Sequence, residues 1–200
     1  MITAAVAKGR LFKDYVRYLG EKNLAKWFDV LNSVDRELVV QTDEIRFLLV
    51  KGEDVARYVE EGIADIGILG SDILMEHSFN VYDLMDLPFG KCHFAIASPD
   101  GKEDFNIIAT KYVNYTRRYF DGCMKDVKII QLQGSVELAA TIGMADAIVD
   151  IVQSGETLVK NNLHERVVLD GINARLIANK HAYFVRYEEI QGVLDLMKVS

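Results

Sequence analysis

Apolar residues recur along this chain in two rhythms, and the alternation between them predicts an α/β protein. Runs that are apolar throughout, or at every second position, predict strands at 2–7, 38–42, 45–50, 64–70, 81–87, 91–98, 107–109, 127–132 and 147–149. Helical spacing places Leu11, Tyr15 and Leu19 on one face, with further helices expected at 55–61, 112–120, 136–140, from Leu158 onward and at 187–197. Gly20 and Gly62 are natural stops, and Glu53 and Asp54 put acids in a first turn. Pro88 and Gly90 predict a turn between two strands. Beyond residue 105 strand and helix alternate, the pattern of a parallel sheet covered by helices. From Val167 two short strand-like runs, 167–169 and 174–178, lead into the last helix.

The hydrophilic stretch Pro99 to Asp104 is the clearest break, and it divides this pattern in two. The expected architecture is two α/β lobes with a central cleft: residues 1–98, residues 99–170, and a return segment, 171–200, completing the first lobe. Two hundred residues suffice for two small lobes with real cores.

Charge and cysteine content narrow the function classes. A net charge of −7 argues against a dedicated nucleic-acid binder, yet leaves room for a local basic pocket. Cys92 and Cys123 stand far apart without metal-ligand spacing, so neither a disulfide framework nor a zinc site is indicated. The first ten residues read as a strand, not a secretory leader, and no run reaches membrane-span length; no membrane role and a cytoplasmic location are the expectation.

Candidate chemistry gathers where strands end. Ala147-Ile148-Val149 lies between Asp146 and Asp150, and Ser154-Gly155-Glu156-Thr157 then leads into a helix start. A strand, small turn and helix start leave backbone N–H groups pointing outward, which suits a phosphate. Gly155 permits close backbone approach, Ser154 and Thr157 add hydroxyls, and a strand-end carboxylate suits ribose hydroxyls or a metal ion on phosphates. An ordinary N-cap explains the same turn. Lys8-Gly9-Arg10 is a cationic turn between a strand and a helix, open to the same two readings of anion site or solvated surface. At Gly70-Ser71-Asp72, Ser71 reads as a helix cap, with Gly70 and Asp72 as site candidates. His77, His93, His164 and His181 form no ligand spacing and read as structural or surface residues.

Several segments together resemble the short form of the ATP phosphoribosyltransferases. They are Ala7-Lys8-Gly9-Arg10-Leu11, residues 62–72, residues 108–112 with 116–120, Gln133-Gly134-Ser135-Val136-Glu137-Leu138-Ala139, and residues 146–158. They span nearly all of the chain. Departures are Val113 and Ala140, at positions where the family often has proline; they bear on turn rigidity more than on chemistry.

The resemblance implies a fold like that of type II periplasmic binding proteins. It also implies transfer of a 5-phosphoribosyl group from phosphoribosyl pyrophosphate to N1 of ATP, the first step of histidine biosynthesis, with Mg2+ on the pyrophosphate. On that basis Ser154, Gly155, Glu156 and Thr157 would cradle the 5-phosphate, and Asp146 and Asp150 would hold ribose hydroxyls or magnesium. Lys8 and Arg10 would meet phosphate charge, and Gly70, Asp72, Glu137 and Lys111 would serve the nucleotide side. The chain ends about where the catalytic lobes close, so a regulatory subunit resembling histidyl-tRNA synthetase is implied, with a homodimer inside a hetero-oligomer. A non-enzymatic solute receptor or effector-sensing domain is the main rival reading of the same fold, and a phosphoribosyl pyrophosphate transferase acting on a different base is the second.

Overall fold

The computed structural model describes residues 1–198, and the chain forms two compact units. Unit 1 comprises Met1–Gly90 and the chain from Asn173 onward; unit 2 comprises Lys91–Ile172. The changes of unit at 90/91 and 172/173 replace the expected 98/99 and 170/171. The hydrophilic stretch after Ser98 is a loop of unit 2. Arg166 Nε donates to Ser98 Oγ at 2.9 Å and its Nη2 donates to the Pro99 carbonyl at 2.8 Å, tying that loop down.

In unit 1 the strands β1 (Ile2–Ala7), β2 (Val39–Gln41), β3 (Ile45–Val50), β4 (Ile66–Gly70) and β9 (His164–Asn179, its last part) run in the order β2-β3-β1-β4-β9. β1 pairs parallel with β3 and β4, while β2 runs antiparallel to β3 and β9 antiparallel to β4. The period of two shows in burial. Ile2, Ala4 and Val6 face one core, with Tyr15 and Leu19 of α1 (Arg10–Glu21), Trp27 and Leu31 of α2 (Ala25–Asn32), and Ile190 of α9 (Tyr187–Met197). Ala5 and Ala7 face the other, under Val55 and Val59 of α3 (Gly52–Glu60) and Ile73 of α4 (Ser71–Glu76).

Two residues that break the apolar run before Gly70 now have a physical reason. A Cβ on Gly67 would fall 2.7 Å from Val59 Cγ2 and 2.9 Å from Val55 Cγ1, so only glycine lets α3 lie this close to β4. Asp65 Oδ2 accepts the Thr3 N–H at 2.7 Å, satisfying a backbone donor beside the β1 ladder.

In unit 2 the order is β5-β8-β6-β7, from β5 (Val81–Ser98, its last part), β8 (Ala147–Val152), β6 (Ile107–Thr110) and β7 (Lys128–Gln131). β6 is parallel to β7 and β8; β5 is antiparallel to β8. Helices α5 (Val113–Gly122), α6 (Val136–Thr141) and α7 (Glu156–Lys160) follow the three parallel strands. Ala95, Ala97, Ala109, Ile148 and Val152 pack with Val136, Ala139, Leu158 and Leu163 on one face; Phe94 stacks on Tyr115 of α5 at 3.9 Å between ring centroids.

Three expectations change. Pro88 and Gly90 do not reverse the chain: β5 is one strand of 18 residues, in which Gly90 adopts φ 68 and the strand continues past it. The runs 167–169 and 174–178 are likewise parts of the single strand β9. Ser71 is the first residue of α4 and no side chain caps that helix; the Ser71 Oγ instead accepts the Asn173 N–H at 3.3 Å. Helices α2 and α8 (Lys180–Val185) were not foreseen, the second opened by Asn179, whose Oδ1 accepts the Ala182 N–H at 2.9 Å.

Candidate active site

In unit 2 the parallel strands β6, β7 and β8 share one direction, so their carboxyl ends and the turns that follow lie along one edge of the sheet. This is where open α/β sheets bind ligands. Thr110, the last residue of β6, pairs with Val149 of β8, which sets Lys111 beside Asp150. The buried Thr110 hydroxyl fixes the corner: Oγ1 donates to the Val149 carbonyl at 2.7 Å and accepts the Tyr112 N–H at 2.9 Å. After β7 the chain turns through Gln133 and Gly134 to Ser135, held at φ 48, and Glu137 stands in the first turn of α6. After β8 it turns through Ser154 to Gly155, at φ 73, with Glu156 and Thr157 in the first turn of α7.

Three charged residues meet along this edge. Burial pushes the Asp150 carboxyl up to about 6; the Ile151 N–H, donated to Asp150 Oδ1 at 2.8 Å, opposes that, Glu137 adds to it and Lys111 offsets it. The Lys111 ammonium also lies 5.7 Å from the Tyr112 ring centroid. Asp150 thus holds its proton more readily than an ordinary carboxyl, and an arriving cation or hydroxyl-rich ligand meets a group easily changed in charge.

Asp146 is elsewhere. It precedes β8, roughly 13 Å of strand from Asp150 at 3.3 Å per residue. Its Oδ2 accepts the N–H groups of Asn106 and Ile107 at 3.1 and 2.9 Å, and its Oδ1 accepts from Lys102 Nζ at 2.9 Å. The Lys102 hydrogen bond first, then those two backbone donors, hold its carboxyl below the ordinary range. Two carboxylates four residues apart therefore do different work: Asp146 ties β8 to the start of β6, and Asp150 stands among the turns.

Ser154, Glu156 and Thr157 are exposed, and Glu156 Oε2 lies 3.8 Å from Lys160 Nζ. Gly155 is the N-cap residue of α7 and no side chain caps the helix, so the Ser154 and Thr157 hydroxyls are not spent on capping it. One neighbour escaped sequence reasoning. His93 Nε2 and Glu165 Oε2 lie 2.7 Å apart, and Glu165 Oε1 stands 3.5 Å from where a Cβ of Gly155 would be. Nothing local signals a pair 72 residues apart.

In unit 1 the parallel strands β3, β1 and β4 end in a comparable way. Lys8 follows β1, with its N–H donated to the Val50 carbonyl at 2.8 Å; Gly9, at φ 84, precedes Arg10, the first residue of α1. Gly70 ends β4, and a side chain there would collide with the Asp72 carboxylate in the first turn of α4. Lys8, Arg10, Gly70 and Asp72 thus belong to one strand-end edge of unit 1, and Lys111, Glu137, Asp150 and Ser154–Thr157 to that of unit 2.

A family model described as ATP phosphoribosyltransferase matches residues 51–199. The Staphylococcus carnosus ATP phosphoribosyltransferase is 50% identical over 201 residues, covering 100% of this chain and 98% of that protein. The Staphylococcus saprophyticus enzyme is 47% identical over 200 residues, with the same coverage. Among solved structures, the ATP phosphoribosyl transferase (HisG:HisZ) complex from Thermotoga maritima aligns with a TM-score of 0.81 at 30% identity, covering 98% of this chain and 96% of that one. The periplasmic aliphatic sulphonate binding protein SsuA from Escherichia coli, at 14% identity and a TM-score of 0.67, covers 98% of this chain and 70% of its own, and shares the fold alone. The fold class is that of the periplasmic binding proteins, as the resemblance implied. Matched over its whole length, the chain belongs to the ATP phosphoribosyltransferase family, which catalyses the first step of histidine biosynthesis.

Proposed function

We propose that this chain transfers the 5-phosphoribosyl group of phosphoribosyl pyrophosphate to N1 of ATP, and that the strand-end edge of unit 2 holds the phosphoribosyl donor. The observation that carries this assignment is that Lys111, Glu137, Asp150 and the Ser154–Thr157 turn all follow parallel strands at one edge of the sheet, where Asp150 feels the charges of the other two. The bond from the anomeric carbon to pyrophosphate breaks, its electron pair leaving with pyrophosphate, and the N1 lone pair forms the new bond. Charge develops as an oxocarbenium on the ribose and as anion on the leaving group, so positioning and fixed charge do the catalytic work.

Backbone donors of the 154–157 turn meet the 5-phosphate, with the Thr157 and Ser154 hydroxyls beside them. Asp150 accepts from ribose hydroxyls, and Lys111 offsets the carboxylate and phosphate charge. Lys8 and Arg10 of unit 1 meet polyphosphate charge, with Gly70 and Asp72 on the nucleotide side. Asp146 is left out, since its oxygens are committed to Lys102, Asn106 and Ile107.

Magnesium suits this arrangement as a companion of the pyrophosphate, where it supplies charge neutralisation. Among the described residues no cluster of three or more His, Cys, Asp or Glu forms a protein cage. Asp150 and Glu137 are instead two hard carboxylates of the kind that touch a cation already carried by phosphates.

The solved relative is a complex with HisZ, and we infer that a regulatory subunit resembling histidyl-tRNA synthetase also assembles with this chain, as part of a hetero-oligomer containing a homodimer. Feedback needs a second site whose occupancy differs between active and inactive states. A cytoplasmic location goes with this role. The test is to incubate the chain with ATP, phosphoribosyl pyrophosphate and magnesium, alone and with the partner, across a histidine titration. Formation of phosphoribosyl-ATP, stimulated by the partner and made histidine-sensitive by it, is the expected result. No product in either case refutes the transferase assignment; strong histidine inhibition of the isolated chain refutes the need for the partner.

A further inference from the structure

Unit 1 contains a groove, with a volume of about 570 Å³, whose lining apart from the Lys8-Gly9 turn the proposed chemistry does not use. It is bounded by α1, by α2 and by the segment that leads from α2 to β2. Its apolar lining comes from Phe12 and Val16 of α1, Phe28 and Leu31 of α2, Val34, and Leu49 of β3. The two helices approach closely near the end of α1, where a Cβ on Gly20 would lie 3.1 Å from Phe28 Cε2.

Its charges are sorted by element. Lys8, Lys13 and Arg17 come from the end of β1 and from α1, while Asp35 and Glu37 come from the segment between α2 and β2. Lys13 and Arg17 are four apart on one helix and project side by side. Neither Lys8 nor Lys13 has a carboxylate partner among the described residues, and Arg17, 69% exposed, reaches Asp14 at only 3.4 Å. Glu37 does not answer these cations: its Oε2 is turned onto its own loop, where it accepts the N–H groups of Asp35 and Arg36 at 2.8 and 3.0 Å. Three cations along one wall, in a chain of net charge −7, concentrate positive potential against an apolar floor.

We propose that this groove is a separate ligand site, and that it takes a small amphipathic anion: a flat apolar body seated between Phe12 and Phe28, with a carboxylate or phosphate on Lys13 and Arg17. The volume lies within the roughly 300–1,000 Å³ of small-molecule sites. Lys8, with Gly9 beside it, lines the groove and also belongs to the strand-end turn of unit 1, so occupancy here bears on that edge through β1 and α1. A ligand that prefers one setting of Lys8 alters substrate affinity by the same factor that substrate alters its own.

The test is direct binding to the full chain with 8-anilinonaphthalene-1-sulfonate, a flat apolar anion that fluoresces in apolar surroundings. The expected result is saturable binding at one site, weakened at least tenfold by Lys13→Glu combined with Arg17→Glu. Val34→Trp, which fills the groove, should abolish it. Both charge changes are at exposed positions, and circular dichroism establishes that each variant is folded. Phenyl phosphate and phenylacetate then serve as competitors, and displacement by either names the head group. Binding that is absent, unsaturable or unchanged in the charge-reversed variant overturns the proposal, as does binding that appears only on dilution, which would mark the groove as covered by a second copy. The readout is binding, so it stands apart from whether phosphoribosyl transfer is observed.

Discussion

Asp150→Asn separates the electrostatics of the proposed site from its chemistry. Asp150 is drawn from 3.8 in the unfolded chain to about 6 in the folded one, mainly by burial. A raised folded value means that the contribution to stability is fully present below 3.8 and is lost as pH rises through about 6. Above that window the folded protein holds an ionised, half-buried carboxylate near Glu137, only partly offset by Lys111. The difference between the two values corresponds to up to about 3 kcal/mol, at 1.36 kcal/mol per tenfold change in proton affinity.

Asparagine keeps the shape and the acceptor for the Ile151 N–H but carries no charge. Denaturant unfolding of both proteins across this range isolates the effect, because other titrating groups cancel in the difference. Asp150→Asn should match the parent at about pH 4 and gain up to about 3 kcal/mol by about pH 8, with the rise centred below neutrality. The same variant should lose transferase activity, so stability and function move in opposite directions. A difference that stays flat with pH, or an asparagine variant less stable at high pH, would refute the reasoning.

Further outcomes follow from the same structure. Thr157→Val should weaken phosphoribosyl pyrophosphate binding by roughly 1–3 kcal/mol, and Gly155→Val by more, since φ 73 is strained for any side chain; wild-type affinity in both folded variants, by calorimetry, would return the turn to a structural role. Arg10→Leu should lower affinity or rate without loss of fold, with Arg10→Lys rescuing part of it; unchanged steady-state kinetics would make the Lys8–Arg10 turn a solvated surface. Asp146→Ala should cost about 1–3 kcal/mol of stability near neutral pH, chiefly by leaving the part-buried Ile107 N–H without its acceptor, while the exposed Asn106 N–H returns to water. That cost should shrink as pH falls through the depressed value of Asp146, where protonation already weakens the contacts, and urea melts at two pH values measure it. Gly67→Ala should destabilise unit 1 by about 1–3 kcal/mol through overpacking against Val55 and Val59, read as a lower thermal midpoint.

Local sequence determined most elements of this protein. The period-two run at β1 and the helical spacing of Leu11, Tyr15 and Leu19 are properties of neighbouring residues, and so is the alternation that produces β6, α5, β7, α6 and β8. The same locality made the strand-end turns legible, because Lys8-Gly9-Arg10 and Ser154-Gly155-Glu156-Thr157 carry their geometry in adjacent residues. What sequence could not decide depends on partners far along the chain. Pro88 and Gly90 look like a reversal, yet β5 runs through them and pairs along Ala95–Ala97 with the strand that carries Asp150. Asp146 and Asp150 look equivalent beside one short strand. One meets Lys102, Asn106 and Ile107 and becomes a tie; the other, one position beyond the residue that Thr110 pairs with, is left among Lys111 and Glu137. A carboxylate's role is set by which donors reach it and how much water remains, and both are fixed only when distant segments pack together.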